Sequence, residues 1–305
     1  MADSDRTASL MTPSKLAQIK PRSAVSPAAW LNQMAADAGH VHVSRLRELR
    51  EEFQAQALLR DFSPLVSELG GVAAALARLD FGLLQRRGWW ARTTGKSRSA
   101  GVEFAAQFEQ VELVTRGLSA NTQGLQKKQQ EQAAATELAV LELEVEYRAI
   151  DKIIEQGTRW LHDMRNQLKA RAASVDPAGQ DQLKDDAGRC EILVARLKAL
   201  RAVSSAAQQT HQQAQGAAAR RAALLQLLRQ ALATNLQAWQ ERLSALATAA
   251  ARDTSPVLST DAAMEAHREL QLSVKQAIAD CGQLQAQEKA LAESLQAFGA
   301  QLEAV

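Results

Sequence analysis

The six prolines are spread so unevenly that they set the frame for everything the chain can fold into. Four of them, Pro13, Pro21, Pro27 and Pro64, fall in the first 64 residues, and only Pro177 and Pro256 follow. Both later prolines sit among Ser, Thr, Asp or Gly, at 174–179 and 252–261, where a locked φ and a missing N–H suit a turn and stop a helix. Three proline-free stretches remain, about 100–172, 180–251 and 261–304. At 1.5 Å rise per residue, about 70 helical residues make a rod ~105 Å long.

Apolar spacing makes each stretch helical. In the first, Phe104, Phe108, Val111, Thr115, Leu118, Thr122 and Leu125 recur at steps of four and three, as do Leu143, Tyr147, Ile150, Ile154, Gly157, Leu161, Met164 and Leu168. The two series are out of phase and join through Ala139 and Leu143 by consecutive steps of four, the mark of a stutter. In the second stretch, Leu225, Leu228, Leu232, Leu236, Trp239, Leu243 and Leu246 form a stripe, after a middle at 201–223 made mostly of Ala, Gln, Ser and Arg. The third repeats through His267, Leu270, Val274, Ala277, Cys281, Leu284, Glu288, Leu291, Leu295, Phe298 and Leu302, with Glu288 as its one acidic interruption.

Composition narrows the fold class further. Of the 46% apolar residues, 60 in number are alanines, which leaves about 80 larger apolar side chains. Aromatics are 4% of the chain and there is a single tyrosine. Sheets draw on β-branched and aromatic side chains, so catalytic α/β folds are excluded, whereas slender helices bury a narrow stripe and tolerate alanine elsewhere. The expected fold is all-α, an elongated antiparallel bundle of three long helices: a coiled-coil hairpin plus a shorter third helix, with a small N-terminal helical region. Folding at Pro177 sets residue i of the first helix roughly opposite residue 354 minus i of the second. A third helix of about 44 residues spans ~66 Å and stops short of the hairpin tip, so 145–207 is either a two-helix extension or covered by another segment.

The boundaries that follow are 1–27, a Ser/Thr/Pro-rich tail expected to be disordered; 28–90, the N-terminal helical region; and 91–305, the long bundle. Within 28–62 a helix breaks near Gly39, and Pro64 opens another that runs to about Arg87. The acidic Met1–Asp5 opening is not followed by an apolar stretch, and no window has the length and apolarity of a membrane span, which points to a cytoplasmic protein. Cys190 and Cys281 fall far apart in this topology and are expected as free thiols.

The chain has 36 Lys+Arg against 34 Asp+Glu, so it carries no general attraction for polyanions, and nucleic acid is not an expected partner. Local chemistry is sparse. Gly95-Lys96-Ser97 invites comparison with a phosphate-binding loop, but Trp90 stands where that loop needs its first glycine, and a helix precedes it instead of a strand. Arg86, Arg87, Trp89, Trp90, Arg92, Lys96 and Arg98 form a basic, tryptophan-containing connector. It is the candidate interaction patch, for lipid headgroups or nucleic acid, weighed against simple packing of the two indoles. His40 and His42, two apart, share a face only on a strand and have no carboxylate or cysteine companions in the local sequence, and His162, His211 and His267 are isolated. His211 is a candidate for setting register among alanines. No catalytic, cofactor or metal residues are assigned.

The order of features over residues 80–300 resembles the toxic-anion-resistance (TelA/KlaA-like) proteins associated with tellurite resistance. The resemblance rests on Asp80-Phe81-Gly82 ahead of a basic Gly-containing element, the run Phe108 to Leu118, and a hairpin turn with Asp176-Pro177. In the second long helix it rests on Arg189 to Leu200, a Gln-rich centre from Gln208 to Gln215, and Leu232 through Trp239 to Leu243. The chain departs from it at Asn121-Thr122-Gln123 and at Gln208-Gln209-Thr210-His211. The resemblance implies a non-enzymatic cytoplasmic helical protein of resistance or envelope-stress type, acting through protein partners without a cofactor. A coiled-coil adaptor and a membrane-associating protein are the alternatives, with peripheral contact at an inner membrane and homo-oligomerisation left open.

Overall fold

The computed structural model describes residues 38–58, 60–85, 96–173, 180–252 and 260–305. All regular structure among these residues is helical: α1 His40–Leu58, α2 Ser63–Leu76, α3 Gly82–Gln85, α4 Lys96–Ala172, α5 Gln180–Leu227, a π turn Leu228–Leu232, α6 Ala233–Ala251 and α7 Thr260–Glu303. The all-α expectation holds, with the three long helical runs falling where the prolines placed them. The expected tail, 1–27, lies outside the described residues.

These helices gather into two units. One takes the chain up to Leu59 together with Ala135–Gln215 and Lys289–Val305; the other takes Arg60–Ala134 and Gly216–Glu288. The N-terminal region is therefore shared out, α1 going to the first unit and α2 and α3 to the second.

In the first unit four helical runs pack antiparallel, each against the next. Across α4 and α5, Arg165 pairs with Glu191 at 2.6 Å and Arg171 with Asp186 at 3.1 Å; Ser204 bonds Asp151, and His211 stands 3.7 Å from Glu144. Each pair lies within about three residues of the line set by the Pro177 turn. Gly157 marks a close approach of the two: a Cβ there would meet Leu197 at 2.9 Å. On the other side of α5, Thr210 Oγ1 and Ser294 Oγ are 2.9 Å apart. Arg196 donates to the Val305 carbonyl at 2.7 Å, which places the end of α7 beside that residue.

The fourth position in this unit belongs to α1. It runs antiparallel to α4, with His42 on Glu146 at 2.6 Å and Gln56 accepting from Thr136 at 2.9 Å. It also lines α7, where Arg47 and Arg50 donate to the carbonyls of Leu302 and Leu295. The stretch 145–207, expected to lie past the third helix, is thus covered in part by both α1 and the end of α7, which meet at Arg196. Gly39 makes the entry possible: its φ of +74° is left-handed, its carbonyl accepts the first helical bond from Val43, and Leu200 crowds the place of a side chain. Val43, Leu46, Leu49 and Phe53 then face inward.

The second unit repeats the plan with other segments. Leu65, Leu69, Val72 and Leu76 of α2 share one core with Phe104, Phe108 and Val111 of α4, Leu232, Trp239 and Leu243 of the π turn and α6, and Leu270, Val274 and Leu284 of α7. Pro64 opens α2 as expected, but the helix stops at Leu76 and does not run on to Arg87. Asp80 explains the stop: its carboxylate accepts from the Gly82 N–H at 2.8 Å, and its own N–H donates to Gln107. A side chain that bonds the nearby backbone offers a turn in competition with helix.

Extra residues in the heptad are absorbed in two ways. In α4 the stutter leaves the helix unbroken and buries both neighbours Ala139 and Val140. In the second run the inward positions are Leu224, Leu228, Leu232, Leu236 and Trp239, with Leu224 rather than Leu225 at the seam. Three successive steps of four hold one residue more than a heptad allows, and the chain takes it up locally as the π turn. Deleting exposed Gln230 restores steps of four and three, so that variant is expected to keep its thermal midpoint within a few degrees. Deleting exposed Gln212 rotates the following seam by ~100° and is expected to cost several kcal/mol. Thermal melts followed by circular dichroism check both; an equal loss in the two variants would contradict the register argument.

Candidate functional site

The connector picked out in the sequence falls mostly outside the described residues: Arg86, Arg87, Trp89, Trp90 and Arg92 all do. Lys96 is the first residue of α4, and Arg98, in its first turn, is exposed.

The histidines and buried charges lie instead at helix–helix contacts. His40 and His162 are exposed, while His42 and His211 reach Glu146 and Glu144, two residues apart on α4 and on opposite flanks of it. His42 on Glu146 is a pairing that local sequence spacing did not reveal, because the carboxylate comes from a distant helix. His211 is buried against Tyr147, ring centroids 5.8 Å apart, which fits the register role expected of it. In the second unit Glu288 explains its place in an apolar seam: it pairs with buried Arg221, and Arg60 lies 3.8 Å away. Burial, and then the Arg221 charge, push the Arg60 guanidinium down to about 10, with Glu288 opposing.

An aromatic nest in the second unit surrounds His267. The Trp239 Nε1–H donates to Nδ1 at 3.2 Å, so Nδ1 carries no proton, while Gln271 lies 3.0 Å from Nε2. Phe81 meets the ring edge-on at 5.2 Å and Phe104 at 5.6 Å, and Phe108 packs on Trp239. A hollow of about 440 Å³ opens beside Phe81 and His267, rimmed by Asp261, Met264, Glu265 and Arg268. Of its rim, Asp261, Met264, Glu265 and Arg268 are exposed side chains of the first turns of α7. Both thiols are free and buried, one in each unit, and burial pushes Cys190 up and Cys281 up to about 11. Protonated thiols of this kind are poor nucleophiles and poor metal ligands. No group of three or more metal-ligating side chains occurs among the described residues.

Among the described residues, a run of large exposed apolar side chains lies on the outer face of α4 in the first unit. Leu138, Leu141 and Val145 are 58%, 59% and 63% exposed, and their spacing of three and four puts them on one stripe. Apolar periodicity does not single them out, because the heptad of this helix follows its buried side. Glutamates flank the stripe: between 135 and 150 the helix carries Glu137, Glu142, Glu144 and Glu146 against Arg148 alone. On the α1 side a single guanidinium, Arg45, faces Glu48, Glu52 and Glu142. The hydrogen bond to Glu142 leads the effects that raise the Arg45 pKa, against burial.

Compared with protein-family models, curated proteins and solved structures, the chain matches none. No described helix is long and apolar enough to cross a membrane.

Burial lowers the pKa of His267 below its ordinary value, opposed by a hydrogen bond to the Leu76 backbone. A depressed folded-state pKa means the unfolded chain binds the proton first as pH falls. The stabilisation is fully present above the unfolded value of ~6.5 and is lost as pH falls from there through the folded one. Urea midpoints are expected to drop between pH 7 and 5 in the wild type, and less in His267→Gln; an unchanged pH dependence in the variant would count against this assignment.

Proposed function

We propose that this chain is a non-enzymatic helical protein that works through protein–protein contacts. The observation that carries the reading is the ordered apolar stripe Leu138, Leu141 and Val145 on an outer helix face, since soluble helices normally place polar residues there. The internal chemistry supports it: His42, His211, His267, Arg221 and Glu288 are each engaged in a tie between helices. Such groups hold register; His267 also borders the hollow beside Phe81, with its ring nitrogens engaged by Trp239 and Gln271. Within this class, the toxic-anion or envelope-stress type is the reading that the resemblance of Arg189 to Leu200 and Leu232 to Leu243 supports, with the cytoplasm as its setting.

Photo-crosslinking in the source cells tests the contact-mediated reading. A benzophenone side chain at Leu141 is expected to give a reproducible protein adduct that the same group at exposed Leu113 or Leu272 does not. Identical adduct patterns at all three positions would remove the reading. For the narrower type, a deletion strain is expected to lose tellurite or envelope-stress tolerance, and unchanged tolerance of both would remove that part.

A further inference from the structure

We infer that the outer face of α4 in the first unit docks a basic amphipathic helix. The inference rests on the contact-mediated reading and goes further by naming the chemistry of the partner. Leu138, Leu141 and Val145 form a stripe three and four residues apart, the pattern with which one helix presents its anchors to another. Among the described residues the other large exposed apolar side chains, such as Leu113, Ile192 and Leu272, do not form such a run.

Charge then selects the occupant. On a helix with 100° between residues, Glu137 and Glu144 lie to one side of the stripe, and Glu142 and Glu146 to the other. Arg148 pairs with Glu144 at 2.5 Å, and Arg45 is divided among Glu48, Glu52 and Glu142, so carboxylates remain in excess on both flanks. The facing part of α5, Gln208 to Gln213, offers glutamine rather than lysine or arginine. An incoming helix with apolar residues at steps of three and four and Lys or Arg on either side satisfies both the stripe and its flanks. A second copy of this face would set like charge on like charge, and an anionic bilayer would be repelled by it.

The test uses the full chain and a fluorescein-labelled synthetic helix of about 20 residues, leucine at steps of three and four with flanking lysines. Anisotropy at low salt is expected to show saturable binding that weakens as salt rises. The double variant Leu141→Lys, Val145→Lys is expected to bind about tenfold more weakly or worse, because it removes two central anchors and reverses the local charge. Both positions are exposed, and circular dichroism verifies folding; Glu137→Lys, further out, is expected to lower affinity with less effect on the apolar anchoring. A peptide with glutamate in place of lysine is expected not to bind. Equal binding of the two peptides, or unchanged binding by the double variant, overturns the inference. So does a concentration-dependent dimer in sedimentation velocity that the double variant abolishes, since that identifies a second copy as the occupant. A specific adduct at Leu141 with no peptide binding removes this inference and leaves the contact-mediated reading standing.

Discussion

A side-chain seam that repeats every 3.5 residues, wrapped on a helix that turns every 3.6, is the constraint to which the structure keeps returning. Each unit is closed by four antiparallel runs, and each run must keep its seam inward across many turns. A mismatch of one residue turns a seam by ~100° and would expose half a core, so it has to be absorbed where it arises. In α4 the absorption is spread over a turn, with Ala139 and Val140 sharing the interior. In the second run it is concentrated in Leu228–Leu232, where the backbone widens to a π turn and Leu232, Leu236 and Trp239 return to the core.

Polar side chains inside the seams restrict which register is allowed. Thr210 against Ser294, Ser204 against Asp151 and Glu288 against Arg221 are each satisfied only if two particular helices stand at one level. A slide by a turn would strand a buried charge or hydroxyl, which costs more than a displaced leucine. The alanines have a related part: Ala207, Ala214 and Ala217 are fully buried, so the middle of α5 permits close helix approach that Leu or Phe could not. Close packing of small groups leaves little tolerance for slippage, and the polar pairs sit among them.

Much of this was legible in the primary structure because prolines and periodicity are local signals. The limits of α4, of the second run from Gln180 to Ala251 and of α7, the facing line through Pro177, the stutter at Ala139 and the burial of His211 follow from spacing alone. What stayed hidden depends on partners distant in sequence. Nothing near His42 announces Glu146, a hundred residues away, and nothing near Gly39 announces Leu200. The stop of α2 at Leu76 turned on one aspartate, Asp80, accepting from the backbone N–H two residues on, which outweighed an apolar pattern that runs on through Leu79 and Leu83. The stripe on the outside of α4 was visible as letters, but its exposure became known only once the opposite side of the helix was seen to be filled.

Each unit is assembled from pieces that are far apart along the chain, and this bears on the order in which the protein can be made. The helix α1 emerges from the ribosome early, yet one of its neighbours, the end of α7 within Lys289–Val305, is synthesised well over 200 residues later. Until then Arg47 and Arg50 lack the Leu302 and Leu295 carbonyls, and Val43, Leu46 and Phe53 have an incomplete core to enter. The second unit, which needs nothing beyond Glu288, can close first. A nascent chain would therefore carry an open apolar helix while the residues between α1 and Lys289 are made, a period in which chaperone binding or pairing with a neighbouring nascent copy competes with folding.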